Sequence, residues 1–329
     1  MNKMKKILAL LCAMILCFSV TACGEKQTVT ELVTKAPEGG SLLKQTADWL
    51  MNAVKEPGYG SVGGEWVTLG IARSDLEVSE GWLEDYYQSL CSYTAEKAGV
   101  LDSRKYTEYS RVILTVTAIG KDPADVAGFN LLKPLADFDQ TVYQGINGPA
   151  FALLALDCGN YEIPENENFN TQATRELYVE YILNAQLPEG GWTLNGSEAE
   201  ADITAMMLQA LAKYRDRQDV LDAVDRGLTV LSQRQNENGG FTAYDTETSE
   251  SVSQTIVALT ELGVSLDDER FVKNGNTLKD ALLRFRTEEG GFAHELEQNA
   301  DLLATEQAFC ALVAIDRMEQ GKPSLYTMK

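Results

Sequence analysis

Six stretches of this chain carry apolar side chains nearly all round a helix: 65–74 (EWVTLGIARS), 109–120 (YSRVILTVTAIG), 148–159 (GPAFALLALDCG), 202–214 (DITAMMLQALAKY), 251–263 (SVSQTIVALTELG) and 304–317 (ATEQAFCALVAIDR). Such segments predict helices buried on every side. Aligned on Ala72, Ala118, Ala155, Ala210, Ala258 and Ala311, they recur at intervals of 46, 37, 55, 48 and 53 residues. Before each lies an amphipathic stretch, near 42–54, 82–97, 130–138, 174–186, 219–234 and 277–286. In 174–186 the apolar face is read as Leu177, Tyr178, Tyr181, Ile182 and Ala185, and in 219–234 as Val220, Val224, Leu228 and Leu231. Leu278, Leu282 and Phe285 do the same in 277–286. No period-two alternation predicts a strand. Half-buried helices alternating with fully buried ones predict two concentric rings: an all-α fold, an α6/α6 toroid of six helix pairs.

Three loops share one pattern: QLPEGGW at 186–192, QNENGGF at 235–241 and RTEEGGF at 286–292. Each follows an outer helix and precedes an inner one. Glycine supplies the positive φ that ends a helix without strain. The aromatic residue can then tuck under the neighbouring pair, and the glutamine can meet free backbone groups at the helix end.

The N-terminus changes the picture of where the protein works. Lys3, Lys5 and Lys6 precede an apolar run from 7 to 22, too short for a membrane span and of the form of a secretory signal. Val20-Thr21-Ala22-Cys23 resembles a bacterial lipobox, which implies cleavage before Cys23 and lipid attachment there. The expected organisation is a signal peptide (1–22), a lipidated N-terminus and polar tether (23–40), the toroid (41–318) and a C-terminal tail (319–329), exported and anchored at the extracytoplasmic face of a membrane. The formal charge of −21 becomes −24 when the leader's three lysines are lost. A chain so acidic is not a nucleic-acid binder. Of six cysteines, Cys91, Cys158 and Cys310 would remain as buried free thiols, without the spacing of a disulfide framework or metal knuckle.

The Q-x-x-x-G-G-W loop resembles the QW motif of squalene and terpene cyclases, and GGF resembles the repeat of protein prenyltransferase β subunits. Both are α/α-toroid families, and the likeness runs from residue 40 to about 318. Their chemistry has to be sought residue by residue. The protonating D-x-D-D-T-A motif of terpene cyclases corresponds to Glu200-Ala201-Asp202-Ile203-Thr204-Ala205. Asp202 stands at the acid's position and Glu200 at the first aspartate's, but Ile203 removes part of the support. The bland reading of the same stretch is helix capping, with Ser197 and Glu200 as an S-x-x-E box and the acids complementing the helix dipole. Of the zinc ligands that prenyltransferases use, Asp202 is followed by Thr204 where a cysteine is needed, so no metal site is expected. His294, the sole histidine, reads as a surface turn residue. The string Cys23-Gly24-Glu25-Lys26-Gln27 has one residue too many to match a thioester motif. The α-domain of cobalamin carriers is a more distant likeness, and it makes a cobalamin-like ligand one candidate. Its size and extracytoplasmic placement are similar to the chain's, while many secreted bacterial proteins with these repeats resemble the chain more nearly, which implies fold and surface location.

Positions eight residues before each alignment alanine should ring one mouth of the barrel, with a second tier three residues on. They single out Ser110, Asn147, Asp202, Glu250, Ser253 and Glu306 as ligand-binding candidates, with Asp202 and Glu200 the weak catalytic ones. A polar, partly acidic mouth above an apolar floor suits a medium-sized ligand with donor groups. The expected activity is non-catalytic binding of a small molecule, corrinoid or isoprenoid among the candidates, or of a surface protein. The alternative is an enzyme of terpene, prenyl-transfer or glycoside-hydrolase type that uses the lumen acids.

Overall fold

The computed structural model describes residues 41–329 apart from Ser79 and Tyr244. The signal peptide, Cys23 and the tether lie outside the described residues. Among these, twelve α-helices alternate between an outer and an inner ring. The outer set is α1 (Leu42–Ala53), α3 (Glu80–Glu96), α5 (Phe138–Val142), α7 (Arg175–Asn184), α9 (Gln218–Arg234) and α11 (Leu278–Leu283). The inner set is α2 (Trp66–Arg73), α4 (Thr107–Ala118), α6 (Asn147–Cys158), α8 (Ala201–Leu211), α10 (Ser249–Leu262) and α12 (Leu302–Glu319). Each inner helix packs against the next, and α12 returns to α2. The toroid is closed.

Composition explains the division of labour. Every residue of α6 is buried, as the all-round apolar pattern requires. In α9, Val220, Val224, Leu228 and Leu231 are buried on one face while charged residues meet solvent. Four outer helices start at side-chain caps: Ser41, Asp137, Thr174 and Thr277 accept from the backbone N–H three residues on.

The three repeated loops behave as staples between pairs. Gly190, Gly239 and Gly290 have φ of 111°, 85° and 97°, which a side chain resists. Gln186 Nε2 donates to Gly190 O in its own loop and, at 2.8 Å, to Ala223 O of α9. Gln235 Nε2 repeats this on Gly239 O (2.9 Å) and Phe271 O (3.0 Å). Trp192, Phe241 and Phe292 are essentially inaccessible. Trp192 leans on Gly227 of α9, and Gly291 leaves no room for a Cβ beside the Trp49 ring of α1. The last loop therefore closes the ring onto the first helix. Arg286 stands where the other copies have glutamine, and its Nη2 donates to Gln45 of α1.

Several expectations are corrected. The third outer helix, read over 130–138, is a 3₁₀ turn (Lys133–Ala136) followed by the five-residue α5; Pro134 sits in the turn and Asp137 caps α5 anew. The stretch 277–286 is helical only over Leu278–Leu283. On α7, Val179 is buried, Leu177 is half-buried and Ala185 is exposed, because the helix ends before Ala185. A two-residue hairpin, β1 (Thr242–Ala243) with β2 (Thr246–Glu247), forms where no strand was expected. No Ser197 capping box forms either: Glu200 is the N-cap of α8 and makes no side-chain cap.

The C-terminal residues are packed, not trailing. Leu325 is fully buried and Tyr326 nearly so. Arg73 at the end of α2 donates to the carbonyls of Ser324, Leu325 and Thr327. Met328 N–H donates to Cys158 O at the end of α6, and Tyr326 N–H to Glu261 near the end of α10. The tail thus covers the end of the barrel where the inner helices finish.

Candidate functional site

The open end is where the inner helices begin. All six ligand-binding candidates lie in or near the first turns of inner helices, as the alanine alignment predicts. Their surroundings differ. The Ser110 and Ser253 hydroxyls are buried and turned back onto carbonyls of their own helices, Tyr106 O and Ser249 O. Glu306 is wholly buried; Oε2 accepts from Gly63 N–H at 3.0 Å while Oε1 has no partner. Burial pushes its carboxyl well up, against the pull of the Gly63 N–H and of the Arg111 charge.

Asp202, Glu200 and Glu250 form one electrostatic neighbourhood. Burial, with repulsion from Glu200 and a smaller contribution from Glu250, pushes the Asp202 carboxyl up to about 6. Glu200 accepts from Thr193 Oγ1 and Leu194 N–H, both at 2.8 Å, so it braces the Gly-Gly-Trp loop. Glu250 pairs with His294 Nδ1 at 2.9 Å, and that bond raises the imidazole's pKa. His294, expected as a plain surface turn residue, is instead half-buried and tied to the start of α10, where its carbonyl also accepts from Ser249 N–H.

The most built-up constellation was not among the candidates. Glu65, just before α2, is wholly buried and accepts from Arg111 Nε (2.9 Å), Tyr86 Oη (3.0 Å) and Gly60 N–H (3.1 Å). Burial raises its carboxyl pKa while the Arg111 charge draws it back. Arg111 Nη2 donates to Glu108 Oε2 at 2.6 Å, and Tyr59 Oη donates to the same oxygen at 3.0 Å. Burial opposes the Arg111 charge, but two carboxylates override it and lift its pKa. One sequence signal could have found this network. Arg111 is the one cation in α4, set within a buried stretch that holds Glu108 three residues before it, and such a charge demands buried partners.

Beside the network a cleft opens between α2, α4 and α6, lined by Trp66, Thr107, Glu108, Arg111, Gln144, Asn147 and Phe151. It offers about 20 Å³ to water-sized groups, little more than one or two of them. Trp66 and Phe151 meet with ring centroids 5.9 Å apart, tilted by 54°. Asn147 is 8% exposed and its Oδ1 is buried without a hydrogen-bond partner. A buried polar atom left so is costly unless a ligand or water meets it. Of the sequence candidates, only Asn147 lines this cleft. Among the described residues, no group of His, Cys, Asp and Glu is arranged to hold a metal ion, and no helix is long and apolar enough to cross a membrane.

Comparison with known proteins follows the fold. A crystal structure of a protein from Actinoplanes superposes with a TM-score of 0.54 at 11% identity, covering 84% of this chain and 98% of that one. The unsaturated glucuronyl hydrolase from Bacillus sp. GL1 gives a TM-score of 0.47 at 14% identity, over 88% of this chain and 97% of that one. At 11% identity the likeness to the Actinoplanes protein speaks to fold, not to chemistry. No curated protein matches the sequence significantly. The profile of the prenyltransferase alpha-alpha toroid domain matches residues 142–327, more than half of the chain and the part that holds all three GG loops. The chain belongs to the prenyltransferase α/α-toroid family.

Proposed function

We propose that this toroid is a non-catalytic binding module, held at the outer face of a membrane through Cys23, that takes a small molecule at the mouth of its inner ring. One observation carries the reading: a cleft at that mouth, walled by the Trp66 and Phe151 rings and by Asn147, a buried amide whose Oδ1 has no protein partner. Aromatic faces beside a few placed polar groups are the usual make-up of a ligand site. The neighbouring acids support binding over catalysis, because Glu65, Glu200 and Glu250 are each engaged by protein donors. The room available narrows the ligand. The cleft holds little more than one or two water-sized groups, so it suits the head of a ligand such as a corrinoid or a polyprenyl chain whose remainder lies across the mouth. Thermal unfolding with cobinamide, farnesyl diphosphate and amino sugars tests the reading, since ligands of the folded state raise the midpoint. At least one compound should raise it, and Asn147→Leu, which fills the cleft, should abolish the rise. A rise that survives Asn147→Leu would move the site elsewhere.

A second reading is favoured by Asp202 alone. Its carboxyl, pushed up to about 6, is poised to donate a proton near neutral pH, as a glycoside hydrolase requires of its acid. Hydrolysis of aryl glycosides, lost in Asp202→Asn, would establish it.

A further inference from the structure

We infer that His294 and Glu250 form a pH-dependent clasp, which holds the loop between α11 and α12 against the first turn of α10 and loosens as the medium turns alkaline. The clasp is independent of what the mouth binds. Both the ring and the backbone of His294 take part. Its Nδ1 lies 2.9 Å from Glu250 Oε1 and 2.9 Å from Oε2, so a protonated ring meets the whole carboxylate. Its carbonyl accepts Ser249 N–H at 3.1 Å. That N–H opens α10, whose N-cap residue Thr248 makes no side-chain cap and turns its hydroxyl to Ser251 Oγ instead. His294 thus supplies, from the neighbouring repeat, a partner that the start of a helix lacks.

Charges around the ring give the clasp its direction. Glu250 faces it from α10, and Glu295 and Asp301 from its own loop, and each favours the imidazolium. Half-burial works against the charged form, but the bond to Glu250 outweighs it. The side chain keeps 40% of its surface exposed, so its proton exchanges with water. The folded pKa therefore stands above the 6.5 of an unperturbed imidazole. It follows that the stabilising contribution of the clasp is fully present below pH 6.5 and is lost as pH rises through the folded value. Deprotonation leaves Glu250 against a neutral ring. It also adds one negative charge to a mouth where the Glu250 charge already acts on Asp202. The clasp couples pH to the charge of the mouth and to the hold on one of its loops.

The test uses the full, untagged chain, in which His294 is the only histidine and one imidazole signal reports its titration. NMR of the ring carbons from about pH 5 to about pH 9 should give a pKa above 6.5. Glu250→Gln, which keeps the shape and removes the charge, should lower that pKa. Glu295→Gln, which removes a charge but no bond to the ring, should lower it less. Hydrogen exchange reads the backbone half of the clasp. After correction for intrinsic rates, protection of the Ser249 amide should fall at least about threefold between about pH 6 and about pH 9. Amides inside α4 and α6 should keep theirs over the same range, and in Glu250→Gln the fall at Ser249 should vanish. A pKa at or below 6.5 in the folded parent would overturn the clasp, and that measurement depends on no variant. Ser249 protection that does not change with pH would overturn it too. So would an equal fall in α4 and α6, because general loosening involves no clasp.

Discussion

A single carboxyl illustrates how much the environment decides at the residue scale. Asp202 sits in the first turn of α8, where an acid complements the helix dipole, yet burial and the Glu200 charge push it up to about 6. Its folded pKa thus lies above the unfolded value near 3.8. The folded state binds the extra proton, so this group's contribution to stability is fully present below about 4 and is lost as pH rises through about 6. Asp202→Asn should remove that contribution, flatten the profile between pH 4 and 6, and make the protein more stable than the parent at pH 7, by roughly 1–3 kcal/mol. Urea midpoints at pH 4, 5, 6 and 7 check it; a variant with the parent's slope would mean that Asp202 is solvated. The same variant separates the two functional readings, because a proton donor is indispensable to a hydrolase and irrelevant to non-catalytic binding at the cleft between α2, α4 and α6.

At the scale of elements, the loops after outer helices carry the repeat-to-repeat joints. Gln235 is 8% exposed and its amide satisfies two carbonyls, one of them beyond the next turn at Phe271. Gln235→Ala should cost about 1–3 kcal/mol, the toll of leaving buried acceptors unmet. Gly291→Ala should cost more, at least about 3 kcal/mol, because a Cβ there would come 2.6 Å from the Trp49 ring and 2.7 Å from Ala300. Chemical denaturation of both variants gives the comparison, and a Gly291→Ala protein as stable as the parent would contradict the ring-closing role of that loop. The inner helices use a different joint at their C-terminal ends. Carbonyls left over there are met by cations from neighbouring elements: Arg317 donates to Arg73 O, Lys213 to Asp157 O and Arg215 to Leu262 O.

These joints give the whole molecule two unlike ends. Acids in the first turns of α4, α8 and α10 line the end where inner helices begin. Arg73, Arg317, Lys213 and Arg215 gather where they finish, a polarity that matches the summed helix dipoles. The tail seals the end where the inner helices finish, and Glu261 of α10 accepts from its Ser324 and Tyr326. Removing residues 321–329 would expose Arg73 and the apolar contacts of Leu325 and Tyr326. A fall of more than about 5 °C in the unfolding midpoint is expected, since 1 kcal/mol corresponds to about 2–4 °C in domains of this class. An unchanged midpoint would mean that the tail only rests on the barrel.

Sequence alone determined the fold, because ring membership is written in local pattern: an inner helix must be apolar all round, an outer one on a single face. The glycine pairs were legible for the same reason, since a positive φ is a local demand. Legibility failed where short-range competition decided, as at Pro134 and Asp137, which split the third outer helix, and at Ser197, whose capping box is displaced by Glu200. The site was only partly readable. Asn147 followed from the alanine register, whereas Glu65, Arg111 and Glu108 required knowing that a loop 46 residues earlier folds back to bury its carboxylate against α4. Only the tertiary structure could decide that, because the energy of a buried charge depends on partners that closure of the ring brings together.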